Sequence, residues 1–238
     1  MLRLCMHAPF AACRTFTAGW YRPTAAFLTP SAAYGLLLNV AGIESRLYEH
    51  ESGHNGHVPT SFTRPGSPPC RLAIGLPEGR DPPRIQSLFQ QLHNYPVGSQ
   101  AGMPPETAMG SKNNITPVRR EILVDLHAIL VVDTADGDLG NRILRGLRGE
   151  LNAGRYGLPF VGDNNFLINR LEVVADPRPA RWYQCLGSTD EDPQPGVTRL
   201  TTHIDRADMS RTRSALYAPA EVATLDPPDV AWTSIGSG

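Results

Sequence analysis

The sequence of 238 residues has little lysine, no paired cysteines and no long apolar run, and each shortage excludes a class of protein. The four cysteines form no Cys-x-x-Cys pair, which favours reduced thiols over a disulfide framework. No apolar run approaches the roughly 20 residues that a membrane-spanning helix needs. The N-terminus lacks the sustained apolar stretch of a signal peptide. We therefore predict a cytoplasmic protein without a membrane partner.

Lys112 is the single lysine, so arginine carries almost all of the positive charge. The net charge of −1 excludes a uniformly basic nucleic-acid-binding surface. The charge is uneven, however, because residues 1–43 contain Arg3, Arg14 and Arg22 and no acid before Glu44. Arginine suits phosphate forks and base stacking better than lysine does. We therefore expect a local basic face on a nearly neutral protein.

Hydrophobic residues make up 41% of the chain and charged residues 19%, a globular balance. Residues 2–7 alternate apolar and polar side chains, which predicts a short strand. A helix follows, with Thr29 as its N-cap, Pro30 at its first position and Gly42 as a left-handed stop. Proline and glycine then recur throughout residues 44–116, where the pattern predicts only a strand at 71–76 and a helix at 84–93.

Regular structure returns after this stretch. We predict a long, partly buried strand at 118–133, a helix at 139–152 that Asp138 can cap, a glycine-rich loop at 154–166 and a strand at 167–174. Further strands are expected at 181–186, 197–204 and 230–235. This succession is compatible with an α+β fold of the ferredoxin-like, RRM-like kind.

The predicted organisation has four parts. Residues 1–43 and 117–176 form the two parts of the RRM-like core. Residues 44–116 form a long thumb-like insertion, partly mobile, that projects from this core. Residues 177–238 form a small C-terminal β-rich extension.

Two segments resemble a known family. Thr-Pro-Ser-Ala-Ala-Tyr-Gly-Leu-Leu at 29–37 resembles the first-helix signature of the Cas five family of CRISPR-associated proteins, a T/P-P-S-x-x-x-G-L-L run after the first strand. Residues 8–12 and 14–17 are similar to the Dev-type branch of this family. Arg-Tyr-Gly-Leu-Pro-Phe-Val-Gly-Asp-Asn-Asn-Phe at 155–166 resembles the same branch's glycine-rich loop.

The resemblance implies a role as well as a fold. It implies a RAMP-superfamily protein that caps the 5′ handle of crRNA in a type I Cascade complex. The expected partners are crRNA and the complex's backbone and large subunits, with target DNA contacted only indirectly. We expect no catalysis, no cofactor and no metal.

The residues that we expect to bind RNA are arginines, aromatic side chains for stacking, and small polar or glycine positions near phosphates. They are Arg14, Tyr21, Arg22, Ser31, Lys112, Asn113, Arg119, Arg142, Arg145, Arg155, Tyr156, Gly157, Asn164 and Asn165. The loops after the first strand and the second helix are expected to converge. Arg14, Arg22, Arg155 and Tyr156 would then form one continuous handle-binding site.

Two catalytic readings remain as alternatives. His50-Glu51-Ser52-Gly53-His54 matches the zinc-protease motif, in which two histidines bind metal and the glutamate acts as base. That chemistry needs a rigid helix, and Ser52-Gly53 disfavours one, so we predict a solvated loop and keep a zinc hydrolase as a remote alternative.

The nearer alternative is a metal-independent endoribonuclease that processes precursor crRNA. One branch of the resembling family uses a tyrosine, a lysine and a histidine for this reaction, and Tyr34, Lys112 and His127 are the nearest types here. His127 lies in an apolar strand, where we predict a hydrogen-bonded core histidine instead.

Overall fold

The computed structural model describes residues 1–15, 20–45, 66–93, 115–134, 137–152, 155, 157–187, 195–205 and 208–236. These residues form one connected sheet of ten strands. All strand pairs are antiparallel except β2 with β5. The strands are β1 (Leu2–Ala11), β2 (Tyr21–Arg22), β3 (Cys70–Pro77), β4 (Arg84–His93), β5 (Ile115–Asp133), β6 (Arg170–Val173), β7 (Ala180–Cys185), β8 (Thr198–His203), β9 (Arg213–Pro219) and β10 (Trp232–Ile235).

The main path through the sheet runs β6-β1-β5-β3-β7-β9-β8, while β10 pairs with β3, and β2 and β4 pair with β5. Two α-helices accompany it in the described part of the chain, α1 (Pro30–Val40) and α2 (Asp138–Leu147). The predicted α+β class is therefore confirmed. No helix within the described residues is long and apolar enough to cross a membrane.

Helix α1 begins and ends as its local sequence predicts. The side chain of Thr29 accepts a hydrogen bond from the Ala32 N–H at 3.2 Å, and Pro30 fills the first helical position. Gly42 has a φ of +64°. The N–H groups of Gly42 and Ile43 donate to carbonyls of the last helical turn, at 3.0 and 2.9 Å. These bonds satisfy carbonyls that would otherwise be unpaired, so the helix stops here.

The two faces of the sheet carry different cores. Alternate residues of β1 and β5 point to opposite faces, as the period of two requires. One face packs against the helices and buries Leu4, Met6, Ala8, Leu126, Ala128 and Leu130 completely. The other face holds a smaller cluster around Trp182, with Ala73, Ile129, Val131, Ala180 and Ala231. The predicted strands at 2–7 and 118–133 are confirmed as β1 and β5, each longer than expected.

The predicted helix at 84–93 is wrong. This segment is strand β4, which pairs with β5 at every position from Arg84↔Val124 to His93↔Ile115. Apolar residues at Ile85, Leu88 and Phe89 mimic the i, i+3, i+4 spacing of a helix. The side chain of Phe89 is 80% exposed, however, so the segment has no buried face that could hold a helix against the core. Pairing with β5 satisfies its backbone instead.

Strand β3, within the predicted insertion, pairs with both β5 and β7, so residues 70–77 are part of the main sheet. Two stretches of the predicted insertion, 46–65 and 94–114, lie outside the described residues. The division of the chain into core, insertion and extension stays a prediction.

The last third of the chain was predicted in part. The strands expected at 167–174, 181–186, 197–204 and 230–235 are found as β6, β7, β8 and β10, and β6 and β10 are shorter than expected. Strand β9 was missed because its alternation is weak and proline ends it. Gly137, with a φ of +70°, takes the N-cap position of α2 that was expected for Asp138.

The helices cross closely at Gly146, and this contact gives a testable pair of substitutions. A Cβ atom at Gly146 would overlap the Val40 carbonyl, whereas one at Gly35 on α1 would meet no atom within 4 Å. We expect Gly146→Ala to lower the free energy of unfolding by about 1–3 kcal/mol. Gly35→Ala should raise it by about 0.5–1 kcal/mol, because alanine loses less backbone entropy in a helix.

Urea unfolding followed by circular dichroism measures both changes. Equal effects of the two substitutions would contradict the close helix crossing.

Candidate nucleic-acid interface

A buried carboxylate connects three separate parts of the chain. Asp163 lies in the glycine-rich loop and is only 5% exposed. Its Oδ2 accepts hydrogen bonds from Arg120 on β5 and from Arg14 in the loop after β1, the latter at 2.5 Å. Its Oδ1 accepts from the backbone N–H of Asn165 at 3.0 Å. The two loops that were expected to converge therefore meet at this carboxylate.

Packing around Asp163 fixes the loop against the sheet. Gly162 has a φ of +71°, and a Cβ atom there would overlap the carbonyl of Ala12. The guanidinium carbon of Arg120 lies 5.3 Å from the ring centroid of Phe166. Phe166 in turn contacts Phe10 of β1 with ring centroids 6.3 Å apart. Position 162 requires glycine, because only glycine permits both its positive φ and its close approach to the Ala12 carbonyl.

The carboxylate of Asp163 is ionised at neutral pH. Burial alone would raise its pKa, but the Asn165 N–H, Arg120 and Arg14 outweigh burial and hold the pKa below its ordinary value. Two guanidinium groups thus share one negative charge. Arg120 has a side chain only 3% exposed and has a structural role, whereas the side chain of Arg14 is 47% exposed. Arg14 is the member of this cluster that can reach an anion in solvent.

A row of exposed side chains crosses β2, β5 and β4. Tyr21 lies opposite Arg119 in the β2–β5 pairing, and Phe89 lies opposite Arg119 in the β4–β5 pairing. Tyr21 is 46% exposed and Phe89 80% exposed. The guanidinium carbon of Arg119 is 5.6 Å from the Tyr21 ring centroid. We call Tyr21, Arg119 and Phe89 the aromatic–arginine row.

Hydrogen bonds hold two members of this row in place. The Tyr21 hydroxyl donates to Glu121, and this bond, with lesser contributions from burial and charge, raises the pKa of the Tyr21 phenol. Arg119 donates to the Ser87 hydroxyl at 3.2 Å. Its backbone N–H donates to the carbonyl of Trp20, whose ring is 77% exposed. The row is therefore positioned before any ligand arrives.

Four other predicted residues are not members of the row. Arg22 is half-buried and lies beside Arg120 in the β2–β5 register. The Ser31 hydroxyl is 3.2 Å from the Thr29 hydroxyl at the start of α1. Gly157 and Asn164 are exposed in the glycine-rich loop.

The predicted arginines of α2 and its following loop contact the protein's own backbone. Arg142 donates to the carbonyls of Ala41 and Gly42 at 3.1 and 3.2 Å, so it binds the C-terminal end of α1. Arg145 donates to the carbonyl of Glu150 at 3.0 Å. Arg155 donates to the carbonyl of Gly146. The single continuous site of Arg14, Arg22, Arg155 and Tyr156 stays a prediction, because Tyr156 lies outside the described residues.

Three predicted site residues, Lys112, Asn113 and Tyr156, lie outside the described residues, as does the His50–His54 motif.

Of the three residues considered for an endoribonuclease, Tyr34 and His127 are described, and they lie on opposite faces of the sheet. Tyr34 packs in the helix-side core and donates to the Pro68 carbonyl at 2.6 Å, and burial raises its pKa to about 12. His127 alternates with residues of that core and points the other way. The predicted hydrogen bond is found, to Asp125, but His127 is half-buried beside a surface cavity and does not lie in the core.

Sequence reasoning missed four residues of this region. Phe89 was hidden because its strand was predicted as a helix, and Trp20 received no role. Arg120 and Asp163 form their contact across 43 positions of sequence, and a single sequence carries no signal for such a pairing. The one local indication was the acidic Asp163 directly after a glycine of the glycine-rich loop.

The structure defines an α+β protein that carries a row of exposed aromatic and arginine side chains on its sheet. No protein-family profile matches the chain. No curated protein matches it either. Among solved structures, it is similar to a chain of a "CRISPR RNA-guided surveillance complex", with a TM-score of 0.51 and 15% sequence identity. The similarity covers 96% of this chain and 94% of that one, and at this identity it shows a shared fold.

The Asp163 cluster predicts an acid-sensitive stability. Asp163→Asn leaves buried Arg120 without its counter-charge, so we expect unfolding free energy to fall by about 3–5 kcal/mol at neutral pH. The lowered pKa stabilises the fold above the carboxyl's unfolded value, about 3.9, and this stabilisation is lost as pH falls toward the folded value.

Urea unfolding at several pH values measures both effects. The matched control is Asp226→Asn, which removes the ion pair of Arg3 with a carboxylate that is 83% exposed. The control should cost no more than about 1 kcal/mol. A similar loss in both variants would contradict the role given to Asp163.

Proposed function

We propose that this protein is a non-catalytic RNA-binding subunit of a type I CRISPR Cascade complex and a member of the Cas five family. In this role it holds the 5′ handle of crRNA and contacts the backbone and large subunits, with target DNA reached only through the complex. The observation that carries RNA binding is the exposed aromatic–arginine row. The fold shared with a chain of an RNA-guided surveillance complex supports the setting.

The order of elements supports a ferredoxin-like, RRM-like core. Strands and helices follow one another as β1-α1-β3-β5-α2-β6, and the four strands lie side by side as β6-β1-β5-β3. This β-α-β-β-α-β succession is that of the ferredoxin-like fold. Strand β4 pairs with the first part of β5 to form an arm. In the sequence this arm lies between β3 and the core part of β5, and we assign the arm to the thumb. Strands β7 to β10 correspond to the C-terminal β extension.

The row has the chemistry of a single-strand-binding platform. Successive bases of a single strand stack on aromatic rings whatever their sequence, and arginine adds stacking and phosphate contact. Neighbouring strands lie about 4.8 Å apart, so the three side chains of the row span roughly 10 Å across the sheet. A net charge of −1 disfavours binding driven by phosphate charge alone. Stacking on the exposed rings supplies the binding free energy that phosphate charge alone does not supply.

Arg14 offers a second contact point beside the glycine-rich loop, on the face of β5 to which Arg120 points and opposite that of Arg119. Asp163 orients its guanidinium while leaving the side chain 47% exposed, so a phosphate can approach from solvent. The glycine-rich loop adds exposed backbone at Gly157 and an exposed amide at Asn164. Backbone N–H groups at glycine positions accommodate phosphates closely. The expected ligand therefore has a phosphate contact beside this loop in addition to its contacts with the row.

Stacking and charge contributions separate in a salt titration. We expect Phe89→Ala to weaken binding of handle RNA by about 1–3 kcal/mol without changing the slope of log K against log salt. Arg119→Gln should reduce that slope by about 0.7, because one phosphate contact is lost. Fluorescence anisotropy at several salt concentrations measures both quantities.

Two surface substitutions far from the row serve as matched controls. Val222→Ala removes an apolar side chain that is 71% exposed, and Arg199→Gln removes an arginine from β8, the far edge of the sheet. Both should bind like the unmodified protein. If Phe89→Ala and Arg119→Gln also bind like it, the row is not the RNA-binding surface.

Catalysis is tested by incubating the purified protein with repeat RNA, with and without a chelator. The proposal expects binding and no new RNA fragment in either condition. Cleavage that survives the chelator would establish the endoribonuclease, and cleavage that the chelator abolishes would establish a metal-dependent hydrolase. Co-purification of the backbone and large subunits with crRNA tests assembly separately.

A further inference from the structure

Three side chains that can bind a metal converge on the face of the sheet opposite the helices. His7 of β1 and His127 of β5 are direct cross-strand neighbours. Their rings are stacked with centroids 4.3 Å apart and an interplanar angle of 9°. The Nε2 atom of each ring lies 3.1 Å from Oδ1 of Asp125. Within the described residues, this is where three metal-ligating side chains meet.

We propose that His7, Asp125 and His127 form a binding site for a divalent transition metal ion, with Zn²⁺ the fitting choice. Their ligand atoms all lie within 4.8 Å of one another. Zinc binds nitrogen and carboxylate oxygen at about 2.0–2.2 Å, so two ligands on a tetrahedral ion lie roughly 3.3 Å apart. The two nitrogen–oxygen distances of 3.1 Å already approach that spacing. Two imidazoles and one carboxylate leave a coordination position open.

The backbone at Asp125 supports a dedicated position for its carboxylate. Asp125 has a φ of +60° and is the one non-glycine with a positive φ within the described residues. Such a conformation inside a strand is uncommon and persists where the surroundings impose it. Here it turns the carboxylate toward both imidazoles while the side chain stays 61% exposed. An exposed carboxylate with this conformation has no packing reason to be there.

The gap between two neighbouring strands gives the metal access from solvent. Along one edge of β5, pairing with β4 runs up to Val124 and pairing with β3 starts at Ile129. Asp125 and His127 lie in the interval between them. A surface cavity of about 350 Å³ opens there and is also lined by Arg80 and by other residues of the β3–β4 connection. Water or an anionic oxygen can reach the open coordination position through this cavity.

An outer contact sets the ring of His7. The amide nitrogen Nδ2 of Asn169 lies 3.4 Å from Nδ1 of His7. A 180° turn of this amide would bring its oxygen to the ring, where it accepts the Nδ1–H and leaves the Nε2 lone pair for the metal. Without metal, the Nε2 protons instead donate to Asp125. Metal binding therefore shifts each ring proton to Nδ1 and replaces the shared carboxylate contact.

Zinc content of the full chain tests the proposal. The protein is dialysed against Zn²⁺, then against metal-free buffer, and bound zinc is measured by mass spectrometry. We expect one zinc per chain and its loss in Asp125→Gly. Glycine suits a φ of +60°, so this variant should melt no lower than the unmodified protein in chelator. Asn169→Ala should weaken zinc binding by about 10–100-fold.

Two controls test four of the five histidines outside the proposed site. The triple variant His50→Ala, His54→Ala, His57→Ala and the single variant His203→Ala should both keep the zinc. Zinc should also raise the melting temperature of these controls and leave that of Asp125→Gly unchanged. A protein that holds no zinc after dialysis, or zinc that survives in Asp125→Gly, would overturn the proposal. Zinc lost only from the triple variant would place the ion at residues 50–57 instead.

Discussion

Backbone pairing along β5 is the constraint on which the rest of the structure depends. Its 19 residues extend roughly 60 Å, further than a small domain's core can cover. Every N–H and C=O along such a strand still needs a partner. The chain meets this demand by pairing β5 with β1 and β3 in its second half and with β4 and β2 in its first. The core sheet and the arm are thus two regions along one strand.

Both candidate sites lie where the partners of β5 change. The aromatic–arginine row lies on the arm, where β5 has no buried core on the face of Arg119. The histidine pair lies at the start of the core sheet, beside the interval in which neither β4 nor β3 pairs with β5. Asp125, with its left-handed backbone, occupies the junction. A strand that passes from one set of partners to another leaves polar groups and cavities at the transition.

Local signals in the sequence predicted the caps of α1 and the buried strands β1 and β5 well. Thr29 and Gly42 fix α1 through contacts within a few residues, and the alternation of β1 and β5 is visible without a structure. The arm was predicted wrongly because the spacing of Ile85, Leu88 and Phe89 suits a helix, and only pairing with distant β5 makes it a strand. Asp163 with Arg14, 149 positions away, and His7 with Asp125, 118 positions away, carry no local pattern at all.

Several arginines of the described residues bind the protein's own backbone and side chains, and under the proposed function this limits how the protein can hold RNA. Arg120 is buried on Asp163, Arg142 binds the carbonyls at the end of α1, and Arg3 binds the carbonyl of Leu225 at 2.7 Å. Arg119 and Arg14 remain as exposed guanidinium groups near the row and the glycine-rich loop. Two phosphate contacts give a single-strand salt slope of only about −1.4. Under the proposed function, affinity for RNA at physiological salt then comes from stacking on exposed rings and from neighbouring subunits.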